Sequence, residues 1–333
     1  MRQVLKQAVG IDVAKEKFDV TICIVDAFGK ESFVTTDSFL NSKSGFNKLI
    51  KWVRKNCDKN CETTYVMEAT GVYHENLAYF LHELKQRVVI VLPNKVKNYA
   101  KCLNIKSKTD KIDSKIIAKL GSQQQLMLWQ PPKPIYRKMR ALTRMYQDLK
   151  KQRLVFTNHI ESFDFSFNED IKKIGKAYAK MVDTIDKQIK NCEKSLVQLV
   201  DSDEEIRERV VNIQTIKGVG FITTVIIVAE TFGFDNISSC KQLTSYAGLD
   251  VVQRQSGSSV NGRSKISKKG NSRIRGALYI PAMSACTHNT KMREYYLRVN
   301  RGKTVKRPGV VAIERKLLIL MYTLWKKNEP AEA

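Results

Sequence analysis

The sequence predicts a mixed α/β sheet domain, then a helical coiled-coil segment, then a mainly α-helical C-terminal domain. Three observations carry that reading. Strand-like runs crowd the first 36 residues and then alternate with helical ones, which describes a sheet with helices on its faces. A proline-rich break, PPKP at 131–134, closes the pattern, and long helical segments follow. The last third is basic and rich in glycine and serine. The implied boundaries are residues 6–130, 131–205 and 206–327.

The first domain reads off in order. AVGID, from Ala8, is a short apolar run ending in a carboxylate. FDVTICIV follows, with Phe18, Val20, Ile22 and Ile24 alternating along it. DAFGK supplies a turn and ESFVTT a third strand. Residues 42–56 make an amphipathic helix with Phe46, Leu49, Ile50 and Val53 on one face. TTYVMEAT is a fourth strand, and a helix starts at Asn76. RVVIVLP is a fifth strand, and its continuous apolar run implies burial on both faces. Thr109 suits the N-cap of a helix over 109–120. Three strands followed by alternating helices and strands is the order of an RNase H-like fold.

Beyond the proline break, a long helix from Arg137 precedes a second whose Met181, Ile185, Ile189, Cys192, Leu196 and Leu199 recur at spacings of four and three. That seam fits a helical hairpin or a dimer contact. IQTIKGVGFITTVIIVAE reads as helix, glycine turn, helix, a helix-hairpin-helix-like element whose glycines let backbone amides approach a phosphate. SSCKQLTSYAGLD adds a helix.

Charge narrows the partner. Lys plus Arg is 58 against 33 Asp plus Glu, a net +25. Such an excess repels itself, and a polyanion relieves the repulsion by releasing counterions. Between Val251 and Arg293 there are nine basic residues and no acidic ones, among them Arg254, Arg263, Lys265, Lys268, Lys269, Arg273 and Arg275. These are the candidate nucleic-acid contacts. Tyr295, Tyr296 and Arg298 suit core packing better than base stacking. No apolar run reaches the roughly 18 residues that span a membrane, and the N-terminus lacks a secretory apolar core. Seven scattered cysteines read as reduced thiols, and the four histidines form no ligand cluster.

Asp12 ends the first strand and Glu68 the fourth, and Asp110 and Asp113 share one face at the start of a helix. Each alone has an ordinary use, as a strand-end turn residue or as an acid favoured at a helix N-terminus. Together, in a nucleic-acid-binding chain, they suit one or two Mg²⁺ ions, with Mn²⁺ as a substitute. Such ions take oxygen ligands, activate an attacking oxygen and stabilise a leaving one. Glu16, Asp19 and Glu75 are assigned to the surface. GIDVAKEKFDV also looks like the first hairpin of actin-like kinases, but the glycine-rich phosphate loops of those proteins have no counterpart here.

RQSGSSVNGRSKISKKGNSRIRGALY holds Ser256, Ser258 and Ser259, and residue chemistry alone does not choose among them. This segment resembles the C-terminal signature of the IS110 insertion-sequence transposases, a group that includes the Piv-type DNA invertases. GIDVAKEKFDV, MEATGVY, KTDKIDSKIIA, GVGFITTVIIVAE and QLTSYAGL match in order, from about Gly10 to about Trp325. The resemblance implies a RuvC-like N-terminal domain whose Asp-Glu-Asp-Asp site falls on Asp12, Glu68, Asp110 and Asp113. It places the catalytic serine on Ser256, which would form a covalent serine–DNA link. It further implies double-stranded donor and target DNA, a noncoding bridge RNA that guides the choice of sequence, and a homo-oligomer, dimer or tetramer, in which one protomer's serine completes another's acidic site. A cytoplasmic, nucleoid-associated location in a bacterium and no membrane partner complete the expectation. The alternative is a metal-dependent, structure-specific endonuclease of the junction-resolvase type, in which water attacks and no covalent intermediate forms.

Overall fold

The structure, a computed structural model, describes residues 3–331 apart from Thr70, Lys108, Asn168, Ser258 and Ser259. The side chains of Glu169, Lys172, Arg254, Val260, Asn261 and Arg263 also lie outside that description. The chain divides into two compact units, Met1–Pro131 and Pro132–Ala333.

The first unit is built on five strands: β1 (Val4–Val13), β2 (Lys17–Asp26), β3 (Glu31–Leu40), β4 (Thr63–Glu68) and β5 (Arg87–Val91). Their order is β3-β2-β1-β4-β5. The β1–β2 and β2–β3 pairs are antiparallel, and β1–β4 and β4–β5 are parallel. Period-two alternation sends Val9, Ile11, Phe18, Val20, Tyr65 and Met67 to one face. There they pack on α1 (Lys43–Asn56) and α2 (Glu75–Glu83) through Phe46, Leu49, Leu77 and Leu81. Val66 and Val89 face the other way, toward Val96 of α3 (Pro93–Cys102) and Ile116, Ile117 and Leu120 of α4 (Asp110–Gln123). The sheet is therefore sandwiched between helices. Two elements depart from expectation. The third strand runs on to Leu40 rather than stopping near Thr36, and α3 was not expected at all.

The second unit opens with a helical hairpin, α5 (Pro134–Asp164) and α6 (Glu169–Asp201). Arg153 reaches Asp186 at 2.6 Å, and Phe156, His159 and Phe163 gather around the Tyr178 ring. The apolar seam is used within the chain: Ile189, Cys192 and Leu196 are buried, while Met181 stays exposed. The helices α7 (Glu204–Gln214), α8 (Phe221–Glu230), α9 (Cys240–Tyr246), α10 (Ser272–His288), α11 (Thr290–Val299) and α12 (Arg307–Lys327) surround one core that includes Phe234, Leu278, Ile313, Met321 and Trp325. Tyr295 and Tyr296 pack against this core, and Lys316 Nζ sits 3.9 Å above the Tyr295 ring. A two-stranded hairpin, β6 (Val251–Ser256) and β7 (Val260–Ile266), interrupts the helices. Among the described residues no helix is long and apolar enough to cross a membrane.

Candidate functional site

Alternation along the strands decides which carboxylates meet. In β1 the odd residues Val9, Ile11 and Val13 enter the α1–α2 core, so Asp12 faces α4. Glu68 shares that face with Val66. The parallel register pairs Ile11 with Met67, which brings Asp12 and Glu68 to the same level at the carboxyl ends of adjacent strands. Asp110 and Asp113 occupy the first turn of α4, where Thr109 Oγ1 accepts from the Ile112 amide at 3.3 Å.

Gly10 sets how closely α4 lies on the sheet. A Cβ there would stand 2.0 Å from the Ala118 nitrogen and 2.3 Å from the Ser114 oxygen, both backbone atoms. The absent side chain lets the helix rest directly on β1. Ser114 Oγ, buried, then meets Thr21 Oγ1 at 2.8 Å. Glycine at position 10 and the acids of KTDKID thus act together, the first admitting the helix whose first turn carries the second.

The electrostatics record the convergence. Burial, followed by the charges of Asp113, Asp110, Glu68 and Asp19, pushes the Asp12 carboxyl up from 3.8 to about 6. A carboxylate surrounded by like charges resists ionisation unless a cation joins it. Lys17 Nζ supplies part of that charge at the rim, 3.3 Å from Asp19 and 3.6 Å from Asp110. Among the described residues no three His, Cys, Asp or Glu side chains stand close enough together to hold a metal ion. Glu68 and Asp113 line one cavity of about 440 Å³. The donor set is all oxygen and mutually repelling, which fits a hard divalent cation and not a soft one.

Asp19 corrects the sequence reading. Assigned to the surface, it is 2% exposed and lies opposite Asp12 in the β1–β2 ladder. The face it shares with Thr21 and Cys23 is covered by α4, through Ser114 and Ser122.

In the second unit, Ser256 is the last residue of β6, exposed, in register with Val260. Gly257 follows with φ +53°, and the competing Ser258 and Ser259 lie outside the described residues. An isolated two-stranded ribbon is marginal in water, so its base is fastened. Ser267 donates its amide to Asp250 O at 2.9 Å, and its hydroxyl meets the Asp250 carboxylate. Lys268 N reaches Gly248 O at 3.1 Å and Asn271 N reaches Tyr246 O at 2.8 Å. Gly270 passes so close to Gly248 that a Cβ would stand 2.4 Å from its nitrogen.

The basic candidates divide. Lys265, Lys268 and Lys269 are exposed. Arg273 reaches Gln147 at 3.0 Å and Asp148 at 3.1 Å, and Arg275 donates to Ala247 O at 2.8 Å. The side chains of Arg254 and Arg263 lie outside the described residues. Beneath the hairpin, fully buried Glu230 receives Arg144 at 2.7 Å, Arg140 at 3.2 Å and the Asn271 amide at 2.7 Å. Burial pushes the Glu230 carboxyl up, but Arg144, Arg140 and Asn271 outweigh it and hold it below its usual value. Asn271 also caps α10, so this network ties α5 and α8 to the foot of the hairpin. The sequence offered no sign of it, because Glu230 reads as an ordinary helix-end residue.

Comparison with known proteins agrees across nearly the whole chain. The DEDD transposase family of IS110 matches residues 9–163, and the transposase family IS116/IS110/IS902 matches residues 211–297. The pilin gene-inverting protein of Moraxella bovis is 29% identical over 98% of this chain and 97% of its own length. The transposase for insertion sequence element IS1111A of Coxiella burnetii is 22% identical over 96% and 90%. The solved structure "T. thermophilus RuvC in complex with Holliday junction substrate" is 11% identical over 34% of this chain and 90% of its own, with a TM-score of 0.26. With one family model on the sheet unit, another on the hairpin and its helices, and full-length relatives spanning both, the chain belongs to the IS110 family of transposases and is a DNA recombinase.

Proposed function

We propose that this recombinase cuts and rejoins DNA through Ser256, with an RNase H-like acidic site at Asp12, Glu68, Asp110 and Asp113 that binds Mg²⁺ or Mn²⁺. The observation that carries the proposal is geometric: Asp12 and Glu68 stand level at the ends of adjacent strands, facing the helix whose first turn carries Asp110 and Asp113, and this crowding with burial pushes Asp12 up to about 6. So much like charge at the ends of two strands is costly without a cation to hold. The cation, when bound, would polarise the scissile phosphate and favour the oxyanion forms of the attacking and departing oxygens.

The chain's own groups do the rest. Asp12 and Glu68, fixed on strands, give the site its rigid side, and Asp110 and Asp113 approach from the first turn of α4. Ser256 Oγ forms the bond to phosphorus and gives up its proton, while the deoxyribose oxygen departs and takes one. One phosphoester replaces another, and the bond energy stays available for religation. Exposed Lys265, Lys268 and Lys269 neutralise phosphates of the strand presented to Ser256. Joining the serine of one protomer to the acids of another requires a homo-oligomer. The excess positive charge also suits a bridge RNA as guide, with base pairing choosing the sites. The relatives' names supply the two outcomes this chemistry serves, gene inversion and transposition.

The test is divalent-metal-dependent cleavage of donor DNA, in the presence of RNA from the element's flank, by wild type and Asp12→Asn. The expected result is cleavage by wild type in Mg²⁺ or Mn²⁺ and loss of at least about 100-fold in the variant. Full metal-dependent cleavage by Asp12→Asn would overturn the acidic site.

A further inference from the structure

From the cavity beside the carboxylates we infer that α3 forms a track for one unpaired DNA strand, gripping its phosphates and feeding it to Glu68 and Asp113. The inference rests on the acidic site proposed above. The cavity, about 440 Å³, is lined by Glu68 and Asp113 together with Asn94, Lys97 and Lys101 of α3 and Lys106 in the segment leading to α4. Asn94, Lys97 and Lys101 follow the helical spacing of three and four, so they form one row along the wall. All four of these residues are exposed.

Charge complementarity identifies the occupant. A phosphodiester is repelled by a cluster of carboxylates, so it reaches them only beside compensating cations. Lysines are suitable point-charge phosphate binders. A row of them lining one cavity with the carboxylates lets a polyanion meet cations beside the reacting groups. The volume decides between one strand and two. It lies in the range of sites that enclose a single small molecule, room for a nucleotide or two and not for a duplex. Ile105, 37% exposed at the same cavity, offers an apolar surface to a sugar or a base. The strand must therefore be unpaired where it enters.

The experiment compares the full chain with Lys97→Gln/Lys101→Gln/Lys106→Gln and with a control, Lys43→Gln/Lys48→Gln/Lys51→Gln, on the exposed side of α1. Glutamine keeps helix propensity, and thermal unfolding confirms that each variant folds. The readouts are affinity for single-stranded DNA and RNA of one sequence across a salt series, and cleavage at saturating DNA. The α3 variant is expected to lose affinity for single-stranded DNA, and its salt slope to fall by about 2, near 0.7 per lost phosphate contact. Cleavage at saturating DNA should fall as well, because the strand is no longer led to Glu68 and Asp113, and the control should fall less in both readouts. Equal losses in the two triple variants would overturn the track. So would a loss confined to RNA, which would make the α3 row an RNA contact. Glu68→Gln separates this inference from the one beneath it. If Glu68→Gln cleaves normally, the acidic site fails. If Glu68→Gln is inactive and the α3 variant binds DNA as wild type does, only the track fails.

Discussion

Asp19 lies directly across the β1–β2 ladder from Asp12, buried to 2% exposure, with Lys17 Nζ 3.3 Å from its carboxylate. Lys17 also reaches Asp110 at 3.6 Å. Asp19 thus anchors the lysine that tethers the first turn of α4 to the sheet. Asp19→Asn should weaken divalent-metal binding about 10-fold, the lower end for groups that orient ligands, without the complete loss expected of Asp12→Asn. Calorimetric Mn²⁺ titration of the two variants checks this, and equal affinity in Asp19→Asn and wild type would remove Asp19 from the site.

Gly10→Ala should destabilise the first unit by about 1–3 kcal/mol, the usual cost of overpacking. The new Cβ meets backbone atoms of Ala118 and Ser114, which no rotamer change can clear. To fold at all, the variant must lift α4 and with it Asp110 and Asp113. Urea unfolding should show the loss of stability, and metal affinity should fall in the fraction that remains folded.

The Glu230 network gives the second unit an acid-sensitive joint. The Glu230 carboxyl is held below its ordinary value of 4.5, so its contribution is complete above 4.5 and fades as pH falls through the lower folded-state value. Glu230→Gln should cost about 1.5–3 kcal/mol at pH 7, the range for hydrogen bonds to a charged group. The difference from wild type should shrink as pH is lowered below 4.5. Urea midpoints at pH 7 and in mild acid measure it, and a pH-independent difference would contradict the assignment.

Asp250→Ala should slow strand exchange without weakening DNA binding. It removes the carboxylate that Ser267 grips at the foot of the β6–β7 hairpin, at a cost of about 1 kcal/mol of stability. Ser256, at the far end of β6, is then less firmly presented. A binding isotherm beside a single-turnover exchange assay separates the two effects.

The sheet was legible because apolar alternation and continuous apolar runs are strong signals. What escaped did so for physical reasons. Phe18, Val20 and Ile22 point into the α1–α2 core, so the alternate residues, Asp19 among them, read as solvent-facing. That inference fails for a strand covered on both sides, and α4 covers the second side through polar contacts such as Thr21 with Ser114. The α3 helix was missed because its lysines and asparagines dilute the apolar pattern, although Pro93 at its first turn and Val96 spaced four from Ala100 marked it. The β6–β7 hairpin was missed because VVQRQS and VNGRSKI carry little apolar alternation and flank glycine and serine, which reads as loop. Of the proposed site, Asp12, Glu68, Asp110 and Asp113 are picked out by their position at strand and helix ends, whereas the choice of Ser256 comes from resemblance alone.

The most direct measurement is a denaturing-gel assay for covalent protein–DNA adducts, using wild type and Ser256→Ala with Mg²⁺, flanking RNA, and labelled donor and target DNA. Serine recombination predicts an adduct with wild type and none with Ser256→Ala, which should still bind DNA because it keeps every positive charge. Cleavage without an adduct in either protein would contradict the serine mechanism and leave a metal-dependent nuclease in which water attacks.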